Sequence, residues 1–225
     1  IVCASVVNGQ KKAIIQTGIN LGPLPVVAFD ADKGFQAGAL LNIYDFGDGS
    51  TYPNPRQQWY MEASFFTKGS QLYAFTYDTK SLIPGVRFST GGNLVIDKAL
   101  DFYGFNGYQS YYDHEKVATG KNDPNQYLYS PFYRTARTSL ILKADFTGNI
   151  VKNKFYWEAG YLFSYFKQGA IDRAKVNKGK DPNKMFPDDV ETLYELYRKW
   201  GIISDAEDGG GINSAIRLGL MYDTR

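Results

Sequence analysis

The segment "KFYWEAGYLFSYF", residues 154–166, alternates apolar and polar side chains with the two-residue period of a β-strand. One stripe consists of Phe155, Trp157, Ala159, Tyr161, Phe163 and Tyr165, and the other consists of Tyr156, Glu158, Gly160, Leu162 and Ser164. The pattern predicts a strand with one apolar face and one face that holds a carboxylate in mid-strand. A transmembrane strand needs only about 10 residues, so this segment is long enough to be one.

The same alternation recurs in "QWYMEASFFT" (58–67), "RTSLILKADF" (137–146) and "NSAIRLGLMYD" (213–223). With the shorter segments 23–30, 35–46, 71–78 and 86–97, it predicts about eight strands. Most links are short turns with Gly, Pro, Asp or Asn, and two long links, near residues 98–134 and 168–212, fall at one end of an up-and-down sheet. The link at 47–58 is an exception, because it is long and lies at the opposite end.

The two stripes differ in a way that favours a membrane. Alternation alone also fits a soluble sandwich or barrel core. The polar stripe, however, carries charges that suit a water-filled lumen, and the ends of the apolar stripe carry aromatic residues that suit the girdles at the two membrane interfaces. The predicted lumen-facing charges are Glu62, Lys143, Glu158 and Arg217. The predicted girdle is Trp59, Tyr73, Tyr77, Phe155, Tyr165 and Tyr222. The predicted fold class is therefore an all-β, antiparallel, up-and-down transmembrane β-barrel.

Composition excludes several other classes. The net charge is +2, from 25 basic and 23 acidic residues without a basic stripe, which argues against nucleic acid as a partner. The mean hydropathy is −0.36, and no apolar run reaches the roughly 18 residues of a transmembrane helix. Cys3 is the only cysteine, so no internal disulfide forms. No catalytic, metal or cofactor site is expected.

The amino end, "IVCASVVNG", is apolar and then small, and Gln10, Lys11 and Lys12 follow it. This order is typical of the end of a signal peptide. We interpret residues 1–10 as the remnant of a signal peptide and residues 11–225 as a partial barrel domain. The alternative is an ordinary first strand.

Three short segments resemble the outer-membrane assembly barrels of the BamA/TamA superfamily, also called the bacterial surface antigen family. They are "GPLPVVAFDADKGFQAGALLNIYDF" (22–46), "FYGFNG" (102–107) and "LGLMYDTR" (218–225). The resemblance implies a barrel of about sixteen strands. The first and last strands of such a barrel meet at a weak seam, which serves to insert or translocate other outer-membrane proteins.

Two departures from the family pattern shape this expectation. The chain supplies about half of such a barrel, so it is expected to be a fragment with the first eight strands. The V-R-G-F/Y motif of the family is absent, so no residue is assigned to it. The signal-like stretch runs almost directly into the first strand, which resembles a member without polypeptide-transport-associated domains.

The predicted loop after the fifth strand begins with "DFYGFNGYQSYYDHE", residues 101–115. Its aromatic residues are expected to pack on the barrel rim, with ligand contact as the alternative. This rim-loop aromatic cluster comprises Phe102, Tyr103, Phe105, Tyr108, Tyr111 and Tyr112. His114, flanked by Asp113 and Glu115, offers a general base, but no nucleophile has a recognisable setting beside it.

The last loop contains "PDDVETLYELYRKWG", residues 187–201, whose apolar residues have helical spacing. It predicts one short helix near residues 188–200, capped by Asp188 or Asp189 and stopped by Gly201. We expect this helix to lie on the barrel rim, and the alternative is that it docks a protein partner. The basic segment before it, residues 173–184, suits either a solvated loop or contact with anionic lipopolysaccharide.

The predicted function is insertion or transport of proteins at the outer membrane of a Gram-negative bacterium, without catalysis. The expected partners are outer-membrane lipid, lipopolysaccharide and client outer-membrane proteins. One alternative is a structural or surface-interaction barrel, namely an antigen, an adhesin or a passive pore. Another is an outer-membrane hydrolase centred on His114.

Overall fold

The described part of the computed structural model comprises residues 15–105, 130–151, 154–182 and 185–223. Eight strands form one antiparallel sheet in the order β1 to β8, so each strand pairs with its neighbours in the sequence. The strands are β1 (Ile19–Asp30), β2 (Gly34–Asp45), β3 (Gln57–Phe66), β4 (Gln71–Ile83), β5 (Val86–Asp101), β6 (Arg134–Val151), β7 (Phe155–Gly169) and β8 (Gly211–Tyr222). The prediction of an all-β, up-and-down architecture is confirmed.

The sheet is open, because β1 and β8 each pair with one neighbour only among the described residues. Between β7 and β8 the described residues form two short helices, α1 (Arg173–Asn177) and α2 (Leu193–Lys199), where the sequence predicted one. A 3₁₀ helix, Ser130–Tyr133, leads into β6.

The connections give the sheet two different ends. The long links, residues 102–133 and 170–210, leave and rejoin the sheet at the same end as the turns 31–33 and 67–70, and we call this the loop end. The opposite end, the turn end, carries the links 46–56, 84–85 and 152–154. The arrangement of long links predicted from the sequence is confirmed, including the exceptional link between β2 and β3.

The cross-strand register keeps one apolar face across all eight strands. Residues directly opposite one another in antiparallel strands project from the same face. One row of the apolar face runs Leu21, Ile43, Trp59, Tyr77, Thr90, Ala144, Tyr161, Ile216. The adjacent row, on the polar face, runs Gly22, Asn42, Tyr60, Thr76, Gly91, Lys143, Leu162, Ala215.

Along the first two strands, the polar face is the more shielded face of the sheet. Along β1 and β2 the polar-face residues are mostly half-buried, whereas most of the apolar-face residues are exposed. Lys33, in the turn before β2, places its Nζ 3.4 Å from the Asp97 Oδ1 of β5. Three strand spacings separate β2 from β5, about 14 Å on a flat sheet. This ion pair therefore indicates that the sheet curls toward its polar face.

Glycines of the polar face allow neighbouring strands to approach closely. A Cβ added to Gly38 would lie 2.4 Å from both the Ala63 carbonyl oxygen and the Ser64 Oγ. A Cβ added to Gly22, on the same face of β1, would meet Asn42 at 3.7 Å, which is ordinary contact. The close packing of β2 on β3 thus requires a glycine at residue 38. The packing of β1 on β2 does not require one at residue 22.

We predict that Gly38→Ala lowers the free energy of unfolding by about 1–3 kcal/mol, because the added methyl group overpacks the contact with Ser64. Gly22→Ala is the matched control, and it should leave the stability unchanged or slightly raised. Urea titrations of both variants, followed by tryptophan fluorescence, measure the difference. Equal midpoints for the two variants would show that the close contact between β2 and β3 does not constrain the sheet.

Candidate functional site

The apolar face of the sheet is an uncovered surface. Ile216 and Leu218 in β8 are each 78% exposed, and Phe29 in β1 is 76% exposed. Most of the buried apolar side chains lie instead in the loops at the loop end: Phe132, Tyr133, Ile171, Phe186 and Tyr194. Water-soluble monomers rarely expose a contiguous apolar patch of more than a few hundred Å². The apolar face is therefore the first candidate for a binding surface.

Aromatic side chains occupy both ends of the apolar face. All six residues of the predicted girdle lie on this face, and Trp59 stacks on Tyr77 with ring centroids 5.2 Å apart. Near the turn end are Trp59, Tyr77, Phe155 and Tyr222, whereas Tyr73 and Tyr165 lie toward the loop end. Their role as a membrane girdle stays a prediction.

The four predicted lumen-facing residues, Glu62, Lys143, Glu158 and Arg217, all project from the polar face. Arg217 donates hydrogen bonds from its Nη2 to Asp145 at 2.9 Å and to Glu158 at 2.7 Å. Glu62 accepts a short hydrogen bond from the Tyr60 hydroxyl and another, of 2.8 Å, from Ser64. The polar face therefore satisfies most of its charges within the sheet.

The most deeply buried charge on the polar face, Asp97, is one that sequence reasoning missed. Its carboxylate is 0% exposed, accepts hydrogen bonds of 3.2 and 2.7 Å from the Arg137 Nε and Nη2, and lies against Lys33. Asp97 and Arg137 are direct cross-strand partners. The alternation in β6 already placed Arg137 on the polar stripe, but the pairing of β5 with β6 was needed to find its partner.

The aromatic cluster that begins at residue 102 packs against α2. Phe102 contacts Tyr194 and Tyr197 with ring centroids 5.6 and 5.7 Å away, and Phe105 contacts Tyr197 at 5.7 Å. Gly104 has a positive φ of 82°, and a Cβ there would lie 2.1 Å from the Tyr197 hydroxyl. The two long links thus share one aromatic contact, which we call the cap contact.

Tyr103 also packs at the loop end of the sheet. Its ring lies 5.5 Å from that of Tyr133, and its hydroxyl donates a hydrogen bond of 2.9 Å to Asp101. The remaining members of the rim-loop aromatic cluster, together with His114, lie outside the described residues: Tyr108, Tyr111 and Tyr112.

Helix α2 starts at a different cap from the one predicted. Thr192, not Asp188 or Asp189, is the N-cap, and it forms a capping box with Glu195. In this motif the Thr192 Oγ1 accepts from the Glu195 backbone N–H, and the Glu195 carboxylate accepts from the Thr192 backbone N–H. Two donors are satisfied at once, which favours the later start. The predicted stop at Gly201 is confirmed, since α2 ends at Lys199 and Gly201 has a φ of 71°.

An ion pair links α1 to α2. Arg173 donates two hydrogen bonds, of 2.9 and 2.8 Å, to the carboxylate of Glu195, and its guanidinium lies over the ring of Phe186. Burial acts against the charge of Glu195, but hydrogen bonds from Arg173 and Thr192 hold the pKa of this carboxyl below its ordinary value. The contribution of Glu195 to stability is therefore present above pH 4.5 and is lost as the pH falls through the lowered pKa.

Tyr194 anchors the same helix to the sheet. It is 2% exposed, and its hydroxyl donates to Asp208 at 2.8 Å and lies 3.3 Å from the carbonyl oxygen of Gln168, the next-to-last residue of β7. Burial and the hydrogen bond to Asp208 raise the pKa of Tyr194 to about 12. Helix α2 is thus fixed to the loop end through Tyr194.

Within the described part of the chain, no three His, Cys, Asp or Glu side chains form a group that could hold a metal ion. The same residues include no helix that is both long and apolar enough to cross a membrane.

We predict that Arg137→Gln destabilises the protein by about 3 kcal/mol, because it leaves Asp97 buried with one cation instead of two. Arg217→Gln is the matched control, since the Arg217 side chain is 60% exposed and its loss should cost about 1 kcal/mol or less. The unfolding midpoint of each variant in urea measures the effect. Similar losses for the two variants would contradict the buried character of the Asp97 pair.

No protein-family model matches this chain, and neither a curated protein nor a solved structure matches it. The resemblance to the BamA/TamA superfamily therefore rests on the three sequence segments alone.

Proposed function

We propose that this chain forms part of the wall of an outer-membrane β-barrel, with its apolar face toward lipid and its polar face toward a water-filled lumen. The observation that carries the proposal is the register, which gathers the apolar side chains of eight strands on one uncovered face. The strands have 10 to 18 residues, which is enough for a tilted strand to cross a bilayer.

The polar face supports the same reading. Ion pairs such as Arg217 with Asp145 and Glu158 are compatible with a wet interior, because side chains on the lumen side need no transfer into hydrocarbon. A soluble sandwich needs the opposite arrangement, with the apolar face covered by a second sheet. The described residues contain one sheet only, and nothing among them covers Ile216, Leu218 or Leu220.

The two edges of the sheet impose a condition on this proposal. Unpaired backbone groups cannot face hydrocarbon, where each costs several kcal/mol. β1 and β8 must therefore be paired in the membrane, either with each other or with further strands. The resemblance to barrels of about sixteen strands favours further strands.

We predict that Leu142→Lys prevents insertion into lipid vesicles, whereas Ile141→Lys is tolerated. The two residues are adjacent in β6 and similarly exposed, at 46% and 37%, but they project from opposite faces. A lysine on the lipid side costs about 2–4 kcal/mol near the middle of the bilayer, and one on the lumen side does not. Insertion is measured by flotation with phosphatidylcholine vesicles of the refolded protein, produced together with any further strands that pair with β1 and β8.

The wild-type protein provides the reference for this experiment, and it should float with the vesicles. A wild-type protein that remains in the aqueous fraction would overturn the membrane proposal. Equal flotation of the two lysine variants would overturn the assignment of the faces.

The finer part of the proposal is a role in inserting or transporting outer-membrane proteins, which is supported by the BamA/TamA-like segments. A surface-interaction barrel is the second candidate, and it is favoured by Trp200 and Ile202, which are 59% and 49% exposed beside the cap contact. Exposed aromatic residues of this kind often anchor protein partners.

We predict that depletion of the protein in its native cell makes unfolded outer-membrane proteins accumulate, because assembly barrels act on other barrels. Immunoblots of heat-modifiable outer-membrane proteins before and after depletion measure this effect. Normal folded levels of these proteins would exclude the assembly role and leave the surface-interaction candidate.

A further inference from the structure

A basic cavity lies at the loop end, between the turn after β3, the adjoining ends of β5 and β6, and α1. Its volume is about 620 Å³, and none of the residues that line it is acidic. Six of them are cationic: Lys68, Lys98, Arg134, Lys175, Lys178 and Lys180.

The positive charge of this cavity is only partly balanced. Arg134 pairs with Asp101, and Lys175 pairs with Asp172 at 2.8 Å. Lys68 donates to the carbonyl oxygen of Ala31 at 2.9 Å, and its charge also acts on the neighbouring carboxylate of Asp30. Lys98, Lys178 and Lys180 form no ion pair with a residue that the structure describes, so three cations of the cavity lack an acidic partner there.

One strand residue of the cavity, Arg134, projects from the apolar face of the sheet. Arg134 has the same strand parity as Leu140 and Leu142 in β6, so it shares their face. Lys98 follows Leu94 of the apolar face by four residues along β5, about 13 Å at the rise of an extended strand. Arg134 and Lys98 therefore lie near the loop-end margin of the apolar face.

An apolar groove of about 400 Å³ lies below this cavity on β4, β5 and β6. Thr90 and Gly92 form its floor, because their side chains are small or absent. Larger side chains form its walls: Tyr73, Phe75, Leu94, Leu140 and Leu142. A cationic cavity and an apolar groove thus follow one another along the same strands, in the order of the head and tail of an anionic lipid.

We infer that the basic cavity binds the phosphate group of an anionic lipid whose acyl chain lies in the groove. Lysine ammonium groups form short, charge-assisted hydrogen bonds with phosphate oxygens, and several of them can share one phosphate. The inference rests on the proposed function only in that the apolar face meets lipid. The basic segment at residues 173–184 thereby gains a defined ligand chemistry rather than a general affinity for anions.

Binding can be measured by isothermal titration calorimetry on the full chain in a non-ionic detergent. The probes are dihexanoyl phosphatidic acid, inorganic phosphate and dihexanoyl phosphatidylcholine, which separate lipid-borne phosphate, free phosphate and a zwitterionic lipid. The test variant is Lys98→Gln with Lys178→Gln, and the matched control is Lys80→Gln with Lys154→Gln at the turn end. Each pair removes one strand lysine and one loop lysine.

We expect dihexanoyl phosphatidic acid to bind more tightly than either other probe. The test variant should lose roughly tenfold in affinity, because Lys98 and Lys178 would contact the phosphate directly. The control should lose nothing, because Lys80 and Lys154 lie outside the cavity. The binding should also weaken as salt is added. If the double variant folds poorly, Lys178→Glu tests the same site from an exposed loop position.

Equal affinity for inorganic phosphate and for phosphatidic acid would overturn the lipid as ligand. Equal losses in the test and control variants would overturn the cavity as the site. This assay does not require the chain to cross a bilayer, whereas the vesicle experiment with Leu142 and Ile141 does. A protein that inserts into vesicles but shows no preference for phosphatidic acid would thus refute this inference alone.

Discussion

The rest of the structure depends on the cross-strand register of the eight strands. A slip of one residue in any pair would move every side chain of that strand to the opposite face. In the observed register, the row from Leu21 to Ile216 and the row from Gly22 to Ala215 continue through the whole sheet. A single layer of strands thus separates an apolar surface from a charged one, and neither needs a second layer to define it.

Two kinds of contact adapt this layer to its surroundings. Gly38 lets β2 pack closely on β3, and the ion pair between Lys33 and Asp97 joins the turn before β2 to β5 as the sheet curls toward the polar face. At the loop end, Tyr194 and the pair of Arg173 with Glu195 fix the helices to the strand ends. Curvature therefore arises within the sheet, whereas conventional apolar burial arises mainly in the links beyond it.

The sequence was sufficient for the strands and for the two faces, because alternation is a local property that does not depend on the partner strand. It predicted about eight strands, both long links and the stop at Gly201. It did not predict the neighbours of Asp97 or the contact of Phe102 with Tyr194, since these depend on which distant segments meet. The predicted start of α2 was wrong, because several side-chain acceptors compete for one helix terminus. The pattern T-x-x-E at residues 192–195 is the sequence signature of the capping box and could have indicated the true start.

The strictly sequential strand order also has a consequence for folding kinetics. Each strand pairs with the strand that precedes it in the sequence, so it needs only that strand as a template. β3, β4 and β5 are joined by links of two to four residues and are the natural hairpin nucleus, whereas the links before β6 and β8 carry the larger entropies of loop closure. The sheet should grow outward from its centre, and β8 should dock last.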